Sequence, residues 1–144
     1  MSWSTIWIQG MSKAVNNYQT IIMVRKESDF SSKGTAPWRE LDPLIGIGEY
    51  GGKLFNDTIS PSTLNGNVWI NGENVNPREA AMPKDFYIAT YEFEGVIDKS
   101  FKITDGHWEG GLTEVLVFNS KLTKREREGL EEYLYRKWIS GVSY

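Results

Sequence analysis

The sequence predicts an all-β fold of two antiparallel sheets packed face to face, closed by a single C-terminal helix. Three observations carry this. Short segments alternate apolar and polar residues with period two and are separated by turn residues. Aromatic residues, which suit pleated and half-buried surfaces, are dense, with six Trp, seven Tyr and six Phe. A helical period occurs once, near the C-terminus. With 144 residues the chain can build one domain with its own core, and is too short to suggest two.

Ser2–Gln9 alternates weakly, Trp3, Thr5 and Trp7 against Ser4, Ile6 and Ile8, and predicts an edge strand. Tyr18–Lys26 is apolar without interruption through Ile21–Val24, which predicts a central strand covered on both faces. The segment 27–43 is a long polar loop around Pro37-Trp38, and loops of that length in compact domains are more often functional than idle. Leu44–Tyr50 reads as a glycine-interrupted strand, turned by Gly51-Gly52 and returned by Lys53–Asn56, with Thr58–Asn65 as a further loop. Asn67–Ile70 and Glu73–Val75 flank Asn71-Gly72, the pair that favours a type I′ hairpin turn. After a link at Asn76–Lys84, Asp85–Gly95 alternates again. Tyr87, Ala89, Tyr91 and Phe93 share one face, and Phe86, Ile88, Thr90, Glu92 and Glu94 the other. Val96–Ile103 reads as one more strand, broken at Asp98-Lys99.

The C-terminal third is the most specific stretch. In Gly110–Phe118, Leu112, Glu114, Leu116 and Phe118 point one way, and Thr113, Val115 and Val117 the other. Both faces are apolar, so this strand is expected inside the fold, where Glu114 needs a partner. Asn119-Ser120-Lys121 is turn chemistry. Thr123 and Glu126 have the spacing of a capping box. Leu130, Leu134 and Trp138 follow as an apolar stripe, beside Tyr133. Glu128, Glu131, Glu132, Arg136 and Lys137 are expected to face water. Gly129 costs about 1 kcal/mol against Ala in a helix interior, which predicts a close neighbour there. The spacing predicts a helix over Lys124–Ile139, ended by Ser140-Gly141.

This last strand, turn and helix closely resemble the end of concanavalin A-like jelly-roll domains of the laminin-G type. The matching residues are Gly111, Glu114–Phe118, Leu122, Glu126, Tyr133, Leu134, Lys137 and Trp138. Val68-Trp69-Ile70-Asn71-Gly72 is similar to a hairpin of that family. The two stretches cover about a quarter of the chain. The resemblance implies a two-sheet jelly-roll sandwich over residues 1–144, often used for glycan binding and adhesion. Such domains are frequent in bacteriophage virion and bacterial surface proteins.

Several functions are disfavoured by composition. A net charge of −3 gives no footprint for nucleic acid. Without cysteine there are no disulfides and no thiolate metal sites. The longest apolar runs, Ile21–Val24 and Val115–Phe118, are far below a membrane span. The first residues show no charged and apolar leader pattern, so either a protein made in the cytosol, such as a virion component, or one whose processed region lies outside this sequence is expected. Gly46-Ile47-Gly48 lacks the rest of a dinucleotide motif, and no triad or phosphate loop is present.

Four constellations remain. Retaining glucanases on this fold place two carboxylates about 5.5 Å apart. Glu92 and Glu94 share a face but lack the third carboxylate of the family signature, so a solvated face is the favoured reading. Asp105-x-His107-x-Glu109 could ligate a divalent ion if extended, though its flanking glycines favour a turn. Calcium, often held at the rim of laminin-G-like domains, could draw on Asp29, Asn56, Asp57, Asn65 and Asn76. Those residues read more simply as turn formers, and no cofactor is expected. Rim aromatics are the fourth: Trp38, and Trp108 beside Asp105 and His107, combine rings with fixed polar groups as sugar subsites do. The expectation is a non-enzymatic recognition or adhesion module on a virion or extracellular surface. Its expected partners are a glycan or cell-surface receptor, other structural proteins and copies of itself. Structural decoration is the alternative.

Overall fold

The computed structural model describes residues 8–9, 17–27, 52–55, 60–98 and 110–140. Among these residues the strands are β1 (Ile8–Gln9), β2 (Tyr18–Glu27), β3 (Asn67–Ile70), β4 (Glu73–Val75), β5 (Tyr87–Ile97) and β6 (Gly110–Phe118). They form one sheet in the order β1-β6-β2-β5-β3-β4. All pairings are antiparallel except that of β1 with β6. One turn of helix, α1 (Pro61–Leu64), precedes β3. The terminal helix α2 (Lys124–Leu134) continues as a π-helical segment, Tyr135–Ile139. The fold is therefore mostly antiparallel β with a short C-terminal helix. The described strands make one sheet rather than the expected pair. The expected strands at 44–50 and 99–103 lie outside the described residues, as does most of Ser2–Gln9.

β2 is central, as its unbroken apolar run predicts, lying between β5 and β6 with Ile21–Val24 wholly buried. Ile21 and Met23 join Tyr87, Ala89, Tyr91, Phe93 and Val115 on one face, under Leu54, Phe55 and Met82. Ile22 and Val24 join Ile88 and Leu116 on the other, under Leu134, Leu130 and Trp138 of the helix. Burying each such side chain contributes roughly 1.5–3 kcal/mol. The alternation expected for β5 thus separates two cores, as period two requires.

The hairpin turn forms as expected: Asn71 and Gly72 have φ of 51° and 82°, the pair of positive values a type I′ turn needs. The turn is also tied to the sheet, since Asn71 Oδ1 accepts from Ile88 N at 2.9 Å. The capping box is complete, with Thr123 Oγ1 accepting from Glu126 N and Glu126 Oε1 from Thr123 N.

Several expectations need correction. The β2–β6 register passes from Val24↔Glu114 to Arg25↔Leu112, which leaves Thr113 as a bulge. Leu112 therefore leaves the Glu114 face and joins Val115 in the opposite core. Val96 and Ile97 end β5 instead of starting a new strand. The β2–β5 register jumps from Thr20↔Glu92 to Tyr18↔Ile97 and bulges Glu94, Gly95 and Val96 into solvent. At Lys53 the return pairs with Ala81 through an isolated bridge rather than within a named strand. The Thr58–Asn65 loop contains α1, capped by Ser60 with Pro61 at its first position.

Two glycines behave oppositely. Gly66 lies against β5 so closely that an added Cβ would overlap the Glu92 carbonyl oxygen. Gly129, where a close neighbour was expected, has nothing within 4 Å of the Cβ position. Gly129→Ala should therefore stabilise the fold by about 1 kcal/mol through helix propensity alone, and Gly66→Ala should destabilise it. Urea denaturation of both variants checks this; a loss of stability in Gly129→Ala would contradict the open setting.

Candidate functional site

The residues singled out as a ligand site, Trp38, Asp105, His107 and Trp108, lie outside the described residues. So do Asp29, Asn56, Asp57 and Glu109. The two remaining calcium candidates serve local turns. Asn65 ends α1 with its N–H on the Pro61 carbonyl, and Asn76 Oδ1 accepts from Arg78 N at 3.0 Å. Glu92 Oε1 accepts from Asn67 Nδ2 at 3.0 Å, while Glu94 is exposed. Among the described residues no group of three or more His, Asp or Glu could hold a metal ion.

What the described residues do assemble is a groove where α2 meets the hairpin turn. Sheet register prepares it. On the helix side Leu116, Ile22, Thr90 and Trp69 line up across β6, β2, β5 and β3, and Glu114, Val24 and Ile88 form the next row. The apolar middle of both rows takes the Leu130–Leu134–Trp138 stripe. The polar ends, Thr90 beside Trp69 on one side and Glu114 on the other, must each find a partner.

At the Thr90 end that partner is Glu131. Its residue is only 4% exposed, contrary to the expectation that it faces water. Thr90 Oγ1 donates to Glu131 Oε2 at 2.7 Å. Arg127 Nη1 donates to Oε1 at 2.9 Å, and its guanidinium lies 4.1 Å from the Trp69 ring centroid. A helical wheel turned to bury Leu130 and Leu134 carries Glu131 in with them, and only the sheet residue beneath makes that tolerable. Burial pushes the Glu131 carboxyl above the usual carboxylate range, while Thr90 and then Arg127 hold it back. The Thr in an otherwise apolar stretch of β5 and the Arg127–Glu131 spacing of four were the signals available.

The groove itself has a volume of about 380 Å³ and is lined by Asn71, Gly72, Ile88, Glu128, Glu131, Glu132 and Tyr135. The helical residues are spaced i, i+3, i+4 and i+7, one stripe facing the turn. Tyr135 is 46% exposed, so its ring is available to a ligand. A Cβ at position 72 would stand 3.9 Å from Glu131 Oε1, an ordinary contact distance, so the turn lies beside a carboxylate that is already almost wholly buried. Glu128 and Glu132 pair with Lys124 and Arg136, at 4.0 and 2.6 Å, in exposed contacts that constrain them little.

At the other end Glu114, with a side chain 2% exposed, obtains the partner its position demands. Lys137 Nζ and Trp138 Nε1 both donate to Oε1, at 3.1 and 2.9 Å. These consecutive residues reach one oxygen from the π-helical segment, where the wider turn departs from α geometry. Lys137 also donates to the Tyr133 hydroxyl, which with Glu114 raises its pKa against the effect of burial. This node fastens the end of α2 to β6 and so sets where Tyr135 stands in the groove.

Comparison with protein-family models, curated proteins and solved structures returned no match for this chain. The site rests on its geometry.

The raised Glu131 value has a signed consequence. Between the unfolded value and the raised folded one the folded chain holds a proton there that the unfolded chain releases, so the resulting stability is complete below the unfolded carboxylate pKa. It is lost as pH rises through the raised value. Glu131→Gln keeps an acceptor for Thr90 and removes this dependence. Melting wild type and Glu131→Gln between about pH 4 and about pH 8 should show wild type gaining on the variant as pH falls. A gap that stays flat, or widens with rising pH, would refute it.

Proposed function

We propose that the chain is a non-enzymatic recognition module that binds a glycan at the groove between the hairpin turn and α2. One observation carries this reading: a groove of about 380 Å³ joins an exposed ring, Tyr135, to a fixed carboxylate and an amide side chain. Its volume falls within the range of small-molecule sites, and it has the few oriented polar groups that give such sites selectivity. A sugar would lay a C–H face on Tyr135 and direct hydroxyls to Asn71, Glu128 and Glu132. Glu131, already engaged by Thr90 and Arg127, would act as a rigid acceptor. Trp38, Asp105, His107 and Trp108 form the second proposed contact region.

The finer architecture we propose is the laminin-G-like jelly roll, with a second sheet supplied in part by the expected strand at 44–50. The burial of Ile21, Met23, Tyr87, Tyr91 and Phe93 on the face away from α2 supports a covering layer there. In this reading the module belongs to a bacteriophage virion or another extracellular surface. Repeated copies would supply avidity to individually weak contacts.

A glycan-array screen of the folded domain, with and without calcium, tests the function. Binding is expected, with Tyr135→Ala losing the signal while melting as wild type does. Retention in Tyr135→Ala with loss in Trp38→Ala or Trp108→Ala would move the site to the second region. No binding to any glycan by folded protein would reject recognition in favour of structural decoration.

A further inference from the structure

Two Asn-Gly pairs occur in the sequence, Asn65-Gly66 and Asn71-Gly72. This dipeptide can modify itself, because a glycine nitrogen carries no bulky neighbour when it attacks the Asn carboxamide. A bond forms between that nitrogen and Cγ, the Cγ–Nδ2 bond breaks, and Nδ2 leaves as ammonia with the amide proton. Water then opens the cyclic imide at either carbonyl, giving aspartate or isoaspartate. Water is the sole co-reactant. Ring closure requires the glycine nitrogen to stand on the side-chain side of the Asn Cα–C bond.

Neither pair has that geometry in the closed fold. Asn65 has ψ of −1°, and a type I′ turn sets ψ at about +30° for Asn71. For an L-residue both values swing the following nitrogen away from Cβ. Reaction therefore needs the backbone to turn, and the two sites resist that turn differently. Asn65 N–H donates to Pro61 O at 2.9 Å, and Gly66 N–H to Thr63 O at 3.2 Å. Gly66 is also pressed on β5, where an added Cβ would overlap the Glu92 carbonyl oxygen. β5 lies inside the sheet, between β2 and β3, so nothing short of wide unfolding releases this pair.

Asn71 and Gly72 are exposed. Gly72 N–H meets no acceptor among the described residues, and a Cβ there would have only Glu131 Oε1 within 4 Å. The turn is held shut by two bonds to Ile88, Asn71 N–H to its carbonyl and its N–H to Asn71 Oδ1, each 2.9 Å. Beyond the turn, β4 has three residues, two of them exposed, and pairs with β3 alone among the described strands. Short edge elements open at a small fraction of the cost of global unfolding.

We propose that Asn71 is a self-modification site of the folded chain, reached when the β3–β4 hairpin opens, while the same dipeptide at Asn65 stays locked. The product puts a carboxylate on the groove wall, which Asn71 lines. Its isoaspartate form also adds a carbon to the backbone, so a two-residue turn loses its register. The modification is independent of what the groove binds.

The test incubates the whole folded chain in mildly alkaline buffer made with heavy-oxygen water, returns it to ordinary water and cleaves it with trypsin. Fragment-ion sequencing of the peptide Leu54–Arg78 separates the two sites. Asn71 should convert at least about tenfold faster than Asn65, taking up heavy oxygen. In urea sufficient to unfold the chain, the two rates should converge. Asn74→Ala removes the bond from Asn74 Nδ2 to Val68 O, 3.2 Å, that pins β4 to β3. It should speed conversion of folded Asn71 by roughly threefold, the worth of one such bond, and leave Asn65 unchanged. Equal rates in the folded chain, or a faster Asn65, would overturn the proposal. So would conversion of neither site over a period in which urea converts both. An unchanged Asn71 rate in Asn74→Ala would overturn the hairpin as its route.

Discussion

The seating of α2 on the sheet, with Leu134 over Ile22, Val24, Ile88 and Leu116, is the contact on which the rest of the molecule depends. It covers the second face of β2, β5 and β6, and it supplies one wall of the groove. Apolar burial of this kind is strong but has little direction of its own. Direction comes from the two carboxylates that go under with it. Glu131 is satisfied only above Thr90 with Arg127 alongside, and Glu114 meets donors, through Oε1 alone, only beneath Lys137 and Trp138. A helix slid by one turn would strand both in a poorly hydrated setting, where an unpartnered charge costs several kcal/mol. The apolar stripe drives the docking and the buried acids choose its register.

The groove follows from that register. Once the helix is seated, its 128–131–132–135 stripe faces the one place where β3 and β4 turn back. That turn is made of Asn and Gly because both of its central residues need positive φ. Small turn residues leave space, and the space is the groove. The same glycine thus serves the hairpin locally and lies beside Glu131 across the groove. The π-helical end of α2 contributes in a related way, since it lets Lys137 and Trp138 reach Glu114 together and holds Tyr135 at the groove mouth.

Much of this was readable before folding was considered. The central position of β2 was carried by Ile21–Val24, the two faces of β5 by strict alternation, and the start of α2 by Thr123 and Glu126. Need for a partner at Glu114 was also legible, because a carboxylate stood in an apolar strand. The helix at Pro61–Leu64 shows in the sequence only as the starting signal Ser60-Pro61, because a single turn has too few residues to show a period. The bulge at Thr113 left no trace, because an extra residue changes which side chains are opposite only once a partner strand is specified. The burial of Glu131 is hidden for a comparable reason. Helical spacing alone lets a residue beside the stripe fall on either side of the boundary.

Local chemistry along the chain was thus enough for the elements that close on themselves: the Asn-Gly hairpin, the capping box and the apolar run of a central strand. Each depends on residues within a few positions of one another, so its energetics are written in consecutive letters. The burial of Glu131, the bulge that sends Leu112 to the opposite core, and the groove beside Gly72 arose only when distant segments met. They depend on pairs such as Thr90 with Glu131 and Val24 with Glu114, whose proximity is a property of strand register and helix docking.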